Sequence, residues 1–357
     1  MSIYELQAVP GWDLATIRMT KSFIELPESG SYYDPRKISE RIKQDGGASF
    51  LLRLKRRFPL SSGFQTNMTS AFRGSPVYWL ARLRYRQKGK IDFGLSSEKD
   101  PGERFTWKPS RGFYGGDHVS MFIQLENKGA LKKLLVGDFQ AQWDQGLVLG
   151  AGLTFQKQVI TGPRKVHLGI IPHTGTREYD YYRGIGIEFQ SKGFLISSIV
   201  SYRKLDAQIL EPDSVDILSR SVPSILKTGL HRTQLELSRR SQLPELLLGM
   251  HVSRSWSRKL TTSLSSAIRR FAIPLIPAPT LHNAIAFSGN HNLNYSGNIE
   301  YQLNNMNLFG QVAFSNNRAW AAIAGLIVGL SHKVSMTLLV RNYHKEYHSI
   351  SSNAYGT

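Results

Sequence analysis

Arg53, Lys55 and Arg57 stand at alternate positions of one apolar stretch, and Arg82, Arg84 and Arg86 do the same in the next. Residues two apart share one face of a β-strand. If the two strands pair, these cations gather on one wall, where unneutralised they repel one another. Such a wall calls for carboxylates of the same chain, with Asp92, Glu126, Asp138 and Asp144 as candidates, or for an external polyanion. DNA and the phosphates of anionic lipid or lipopolysaccharide both qualify. The chemistry is electrostatic binding, not bond making.

The remaining reactive groups point away from catalysis. Asp138 and Asp144 fall on one strand face, where pairing with Arg82 or Arg84 outweighs a two-carboxylate active site. His344 and His348 also share a face, but four strand residues separate them by about 13 Å, too far for one metal ion. The sequence holds no H-E-x-x-H, no P-loop and no G-x-S-x-G elbow. Cysteine is absent, which removes disulfides, thiolate ligands and thiol nucleophiles together. Gly184-Ile185-Gly186 and Gly150-Ala151-Gly152 sit inside strand patterns, relieving crowding in a curved sheet and not cradling a phosphate. No enzyme, metal or cofactor is expected.

Residues 1–26 are the helical part. Ser2 caps a short helix with Ile3, Leu6 and Val9 on one side, Pro10-Gly11 breaks it, and Asp13 caps a second with Leu14, Ile17 and Phe23. Two short helices around a Pro-Gly turn resemble the helix-hairpin-helix module, which holds DNA backbone through amides at the hairpin. That resemblance makes Gly11 and Trp12 candidate phosphate contacts. Asp13 stands where the module usually carries a second glycine, and its charge opposes a phosphate; a small helical packing motif is the plainer reading. Residues 27–48, rich in Gly, Pro and charge, read as a linker.

From residue 49 to 357 the hydrophobic period becomes two. Leu52 and Leu54 alternate with the first basic row; Val77, Trp79, Ala81, Leu83 and Tyr85 with the second. Val119, Met121, Ile123 and Leu125 alternate with Ser120, Gln124 and Glu126, and Phe139, Ala141 and Trp143 with Asp138, Gln140, Gln142 and Asp144. Residues 181–207 read as two strands around Ser191-Lys192-Gly193. In 290–303, Leu293, Tyr295, Ile299, Tyr301 and Leu303 oppose Asn292, Asn294, Ser296, Asn298, Glu300 and Gln302. Further strands fall at 245–256, 259–271, 306–316, 319–330 and 333–346. Longer connections lie around 98–116, 156–180 and 205–230, and a short helix fits within 231–243.

Roughly fourteen to sixteen strands of about ten residues exceed the five or six usual in soluble sandwiches and match a tilted membrane crossing. No apolar run is long enough for a membrane helix. The fold class is therefore mainly β: an antiparallel up-and-down, transmembrane-type β-barrel with apolar rows toward lipid. The formal charge of +19 fits a basic lumen or rim as well as a polyanion site.

The segment GDFQAQWDQGLVLGAGLTF at 137–155, with LLRLKRRFPL at 51–60, VYWLARLRYR at 77–86, TGLHRTQLEL at 228–237 and ELQAVPG at 5–11, resembles a family of helix-hairpin-helix proteins of Bacteroidota-type bacteria. In that family an exported, ComEA-like N-terminal part precedes an outer-membrane barrel region. The resemblance implies an outer-membrane location and a non-enzymatic barrel that binds or passes DNA. A barrel with a structural, assembly or transport role, whose helical unit contacts proteins, is the alternative, and a soluble β-rich DNA-binding protein a third. The start MSIYELQAVPGW carries no secretory signal and the end SSNAYGT no terminal aromatic residue, so an incomplete barrel, truncated at both ends, is expected.

Overall fold

The computed structural model describes residues 46–65, 71–108, 113–151, 165, 167–211, 220–280, 283–331 and 334–352, together with 16 and 19. The helix-hairpin-helix expected over 1–26, including Gly11 and Trp12, lies outside the described residues; Thr16 and Met19 are helical. The chain divides into two compact units, 1–45 and 46–357, and the second carries the sheet.

Period-two alternation builds β-strands one after another. They are β1 (Gly47–Arg56), β2 (Val77–Gln87), β3 (Ile91–Lys99), β4 (Thr106–Lys108), β5 (Phe113–Gly115), β6 (His118–Lys128), β7 (Leu131–Gln142) and β8 (Gly169–Pro172). Then come β9 (Tyr182–Ser191), β10 (Phe194–Leu205), a one-turn helix α1 (Gln234–Ser238), β11 (Leu243–Ser255) and β12 (Leu260–Leu275). β13 (Gly289–Leu303), β14 (Met306–Ser315), β15 (Trp320–Ser331) and β16 (Val334–Tyr343) complete the order.

Sequence neighbours pair antiparallel throughout. The 14-stranded sheet runs β1-β2-β3-β6-β7-β9-β10-β11-β12-β13-β14-β15-β16, while β8 lies beside the end of β7 and β4-β5 form a separate ribbon. This is an up-and-down, barrel-type sheet. No pairing joins β1 to β16 among the described residues, so both remain edges.

The two ends of the strands differ. At one end the connections are the tight segments 88–90, 129–130, 192–193, 256–259 and 304–305. At the other the chain passes through 57–76, 100–117, 143–181, 206–242 and 276–288, with 316–319 the short exception. Lys192 and Gly193 hold positive φ (47° and 82°), the geometry a two-residue hairpin needs to match strand twist.

Outward rows are apolar, while inward rows carry most of the buried polar side chains together with an apolar cluster. In β13, Asn292, Asn294, Ser296 and Asn298 are buried, while Tyr295 and Ile299 are exposed; Leu293, Glu300 and Leu303 are half-buried. In β12, Leu264 is 70% exposed between the buried Ser263 and Ser265. Exposed Phe50, Met121, Val136, Ile185, Val200, Met250, Val312 and Leu338 extend this apolar exterior across the sheet.

Expectations around the end of β7 need correction. The strand predicted through residue 144 ends at Gln142, and Phe139, Ala141 and Trp143 turn away from the lipid side to the interior with no exposed surface. The reason is packing: the residues that follow fold inside the sheet and supply the apolar partners lipid was expected to supply. Gly150 and Ala151, read as strand, belong to that inserted segment. The long connection at 98–116 holds the β4-β5 ribbon and the one at 156–180 holds β8. The short helix of 231–243 forms, with Thr233 as N-cap and Glu236 closing a reciprocal capping box.

Candidate functional site within the barrel

The interior is filled by the chain itself. After β7 the backbone reverses at Asp144 and Gly146, both with positive φ (50° and 83°), and the Trp143 amide donates to the Leu149 carbonyl at 3.1 Å. Asp and Gly tolerate that backbone region best. Trp143, Leu147, Val148 and Leu149 have no exposed surface. They form one apolar cluster with Leu135, Phe139, Ile199, Leu247, Phe309 and Ile323 from surrounding strands. Gly249 makes space for the insertion, since a Cβ there would lie 2.8 Å from the Trp143 indole.

Polar side chains of the wall satisfy the inserted backbone. The Gln311 side-chain carbonyl accepts the amides of Gln145 (3.0 Å) and Leu147 (3.4 Å), and its own amide donates to Ser296. Residues 344–352 fold against the same segment. Tyr347 donates its hydroxyl to the Leu147 carbonyl (2.8 Å), Gly150 donates to the Ser351 carbonyl (3.0 Å), and Asn292 and Asn294 both donate to the His348 carbonyl. A lumen of buried polar groups, each needing a partner, is what fixes both segments in place.

Buried charge lies beside them. Glu245 on β11 accepts from Arg203 of β10 (3.0 Å) and from Arg269 of β12, and all three side chains are at most 7% exposed. Arg203 also donates to the Tyr179 carbonyl and Arg269 to the Ser351 hydroxyl, so each guanidinium has a second acceptor. An open cavity of about 350 Å³ adjoins this triad, lined by Tyr179, Tyr181, Tyr182, Lys227 and Ser352.

Asp144 of the inserted segment meets His167 and His251. One donor atom of each lies within 4.8 Å of the other two. Ser263 and Ser265 donate to the two Asp144 carboxylate oxygens at 2.8 and 2.9 Å. The two imidazoles stack with centroids 4.6 Å apart. A second group, Glu103, Asp117 and His231, ties the long loops together. There His231 uses Nδ1 on Asp117 and Nε2 on Asp206 (2.8 Å), which leaves it no free lone pair for a metal. Burial alone pushes the His231 pKa down, but the hydrogen bonds and charges of the two carboxylates outweigh it and raise it to about 10. Burial, with Asp117 nearby, lifts Glu103 to about 7 and Glu178 to about 9.

The basic rows pair as expected: Leu51 faces Arg82, Ser49 faces Arg84 and Arg53 faces Leu80, which puts Arg53, Lys55, Arg82, Arg84 and Arg86 on one face. Arg57 lies just past the end of β1. Asp92 neutralises part of the row, binding Arg84 through both oxygens (2.6 and 3.0 Å) with Arg86 at 3.5 Å. Neither Asp138 nor Asp144 joins it. Asp138 pairs with Arg183 on the adjacent strand at 2.6 and 2.8 Å, because β9 lies beside β7 and β2 does not. Asp144 is carried inward by the inserted segment. Gly184 and Gly186 relieve crowding: a Cβ would meet the Val200 carbonyl at 2.1 Å and Ile170 at 2.9 Å.

Sequence reasoning missed His167, His251, Arg203, Glu245 and Arg269. The strand residues among them carried a signal, namely charged or imidazole side chains on the polar rows of β10, β11 and β12; His167 carried none.

No protein-family model and no curated protein matches the chain. Solved structures similar to it include an anion-selective porin from Comamonas acidovorans, 10% identical, TM-score 0.30, covering 82% of this chain and 87% of that one. A loop-deletion mutant of OmpT, an outer membrane protein of Vibrio cholerae, is 10% identical with TM-score 0.28, covering 80% and 90%. A mutant of the Rh. blastica porin is 11% identical with TM-score 0.26, covering 85% and 94%. At such TM-scores the structures do not superimpose in detail, and nothing about this chain's ligands follows from theirs.

Proposed function

We propose that this chain is a non-enzymatic outer-membrane β-barrel protein whose lumen its own residues 143–151 and 344–352 hold closed. The observation that carries the reading is the two-sided alternation, apolar at Leu264 and Ile299, polar and buried at Ser263, Ser265, Asn294 and Asn298. In water such an exterior is an aggregation surface; in lipid it is the stable arrangement. Main-sheet strands of nine to sixteen residues, with tight turns at one end and mostly long loops at the other, fit the same membrane and its two unequal sides. A filled interior favours a transport, assembly or structural role over an open pore. The test is purification with and without detergent, followed by reconstitution into lipid bilayers. Detergent dependence and low conductance are expected; a monodisperse detergent-free monomer overturns the membrane reading.

A second reading keeps polyanion binding on the basic face of β1 and β2. It is favoured by the shared face of Arg53, Lys55 and Arg82 and by the Arg82 Nε, which is buried without a partner among the described residues. Arg57, Arg84 and Arg86 extend the row, and Gly11 and Trp12 are the remaining candidate contacts. Duplex DNA and lipopolysaccharide are the ligands to try. Binding that weakens steeply with salt supports this reading, and its absence at low salt removes nucleic acid and lipid phosphate from it.

A further inference from the structure

We propose that Asp144, His167 and His251 form a site for a divalent transition-metal ion of the Zn²⁺ type, which pins the inserted segment to the barrel wall. The three come from different parts of the fold: the insertion, the 143–181 connection and β11. One ligand atom of each lies within 4.8 Å of the other two, and His251 Nδ1 stands 3.7 Å from Asp144 Oδ2.

Hydrogen bonding fixes which lone pair is offered. Ser265 has one hydroxyl proton and gives it to Asp144 at 2.9 Å. The 2.9 Å contact between Ser265 Oγ and His251 Nδ1 must then be donated by the ring. Nδ1 carries the proton, and Nε2 is left as a bare lone pair on a side chain 1% exposed, with no partner among the described residues. Among the described residues His167 Nε2 is also buried without a partner, and its Nδ1 has a long 3.5 Å contact from the Asp144 amide. Two unpartnered imidazole nitrogens beside a buried carboxylate are an unusual cost for a packed interior. A bound cation removes it.

The donor set selects the ion. Two imidazoles and one carboxylate with no thiolate suit Zn²⁺ and its divalent neighbours, not Ca²⁺ or Mg²⁺. Ser265 orients His251 as the outer hydrogen-bond partner usual for a metal-bound histidine. Ser263 and Ser265 each take one lone pair of the carboxylate, which leaves others for the ion.

The experiment titrates Zn²⁺ against a competing chelator on the full chain in detergent, purified without a histidine tag, with Co²⁺ absorbance as a second readout. The native chain is expected to bind one ion. His167→Gln and His251→Gln should each abolish that binding, Ser265→Ala should weaken it about 10–100-fold, and His291→Gln, at an exposed position, should leave it unchanged. Heat-modifiable gel migration reports whether each variant folds. If His251→Gln does not fold, His167→Gln at the half-buried edge decides. No saturable Zn²⁺ binding by the native chain, or its retention in a folded His167→Gln variant, overturns the site.

Discussion

Gln311 accepts the backbone amide of Gln145 at 3.0 Å across 166 residues of sequence, and the neighbouring Leu147 amide with the same oxygen. This one side chain on β14 holds the turn of the inserted segment. Gln311→Leu keeps the size but leaves buried amides unsatisfied, at about 1–3 kcal/mol each. The expected outcome is a barrel that still folds but whose residues 143–151 become open to protease, with higher single-channel conductance in a planar bilayer. Gly249→Val should give the same phenotype by displacing the Trp143 indole; an unchanged conductance in both variants would show that the insertion does not close the lumen.

Glu245 stands between Arg203 and Arg269. Glu245→Gln leaves two guanidinium groups buried beside one another, and removing one partner of such a buried arrangement costs about 3–5 kcal/mol. Urea unfolding in detergent should record that loss. Adding Arg269→Gln should recover part of it, since one of the opposed charges is then gone; an additive double variant would mean that the three groups do not act as a unit.

The lipid-facing assignment predicts an asymmetric response to charge along β12. Leu264→Arg places a guanidinium on the outer face and should lower bilayer folding stability by about 2–4 kcal/mol if it lies near the midplane. Leu264→Phe should be neutral. Equal stability of the arginine variant in lipid would contradict an exterior apolar belt.

The loop cluster predicts a pH response of definite sign. His231 is raised from 6.5 to about 10, so its contribution is complete below about pH 6.5 and is lost as pH rises toward 10. Glu103 and Glu178, raised to about 7 and about 9, act in the same sense: each is buried uncharged in acid, and stability falls as pH passes from its ordinary value to its raised one. Hydrogen-exchange protection in 100–117 and 220–242, taken relative to the intrinsic exchange rate, should therefore fall between pH 6.5 and 10. His231→Gln should lower it already at neutral pH and flatten the dependence; constant protection across that range would refute the cluster's role.

The sequence by itself determined the strands and their two faces. Alternation is a local property, so β13 could be read from 290–303, and Asn294, Asn298 and Ile299 assigned to their sides, without any partner strand in view. The shared face of Arg53, Lys55, Arg82, Arg84 and Arg86 followed equally well, because neighbouring strands pair in an up-and-down sheet. Only the tertiary structure decided what fills the interior. Phe139 and Trp143 carry the same pattern as lipid-facing residues, and alternation cannot say whether the apolar partner is lipid or another stretch of the same chain. The choice rests on contacts across the barrel, such as Gln145 with Gln311 and Asp144 with Ser263 and Ser265, whose sequence separations of 119 to 166 residues leave no mark on the local pattern. The gathering of Asp144, His167 and His251 is invisible for the same reason: each residue is ordinary where it stands, and only the folding of the insertion and its connection against β11 brings them together.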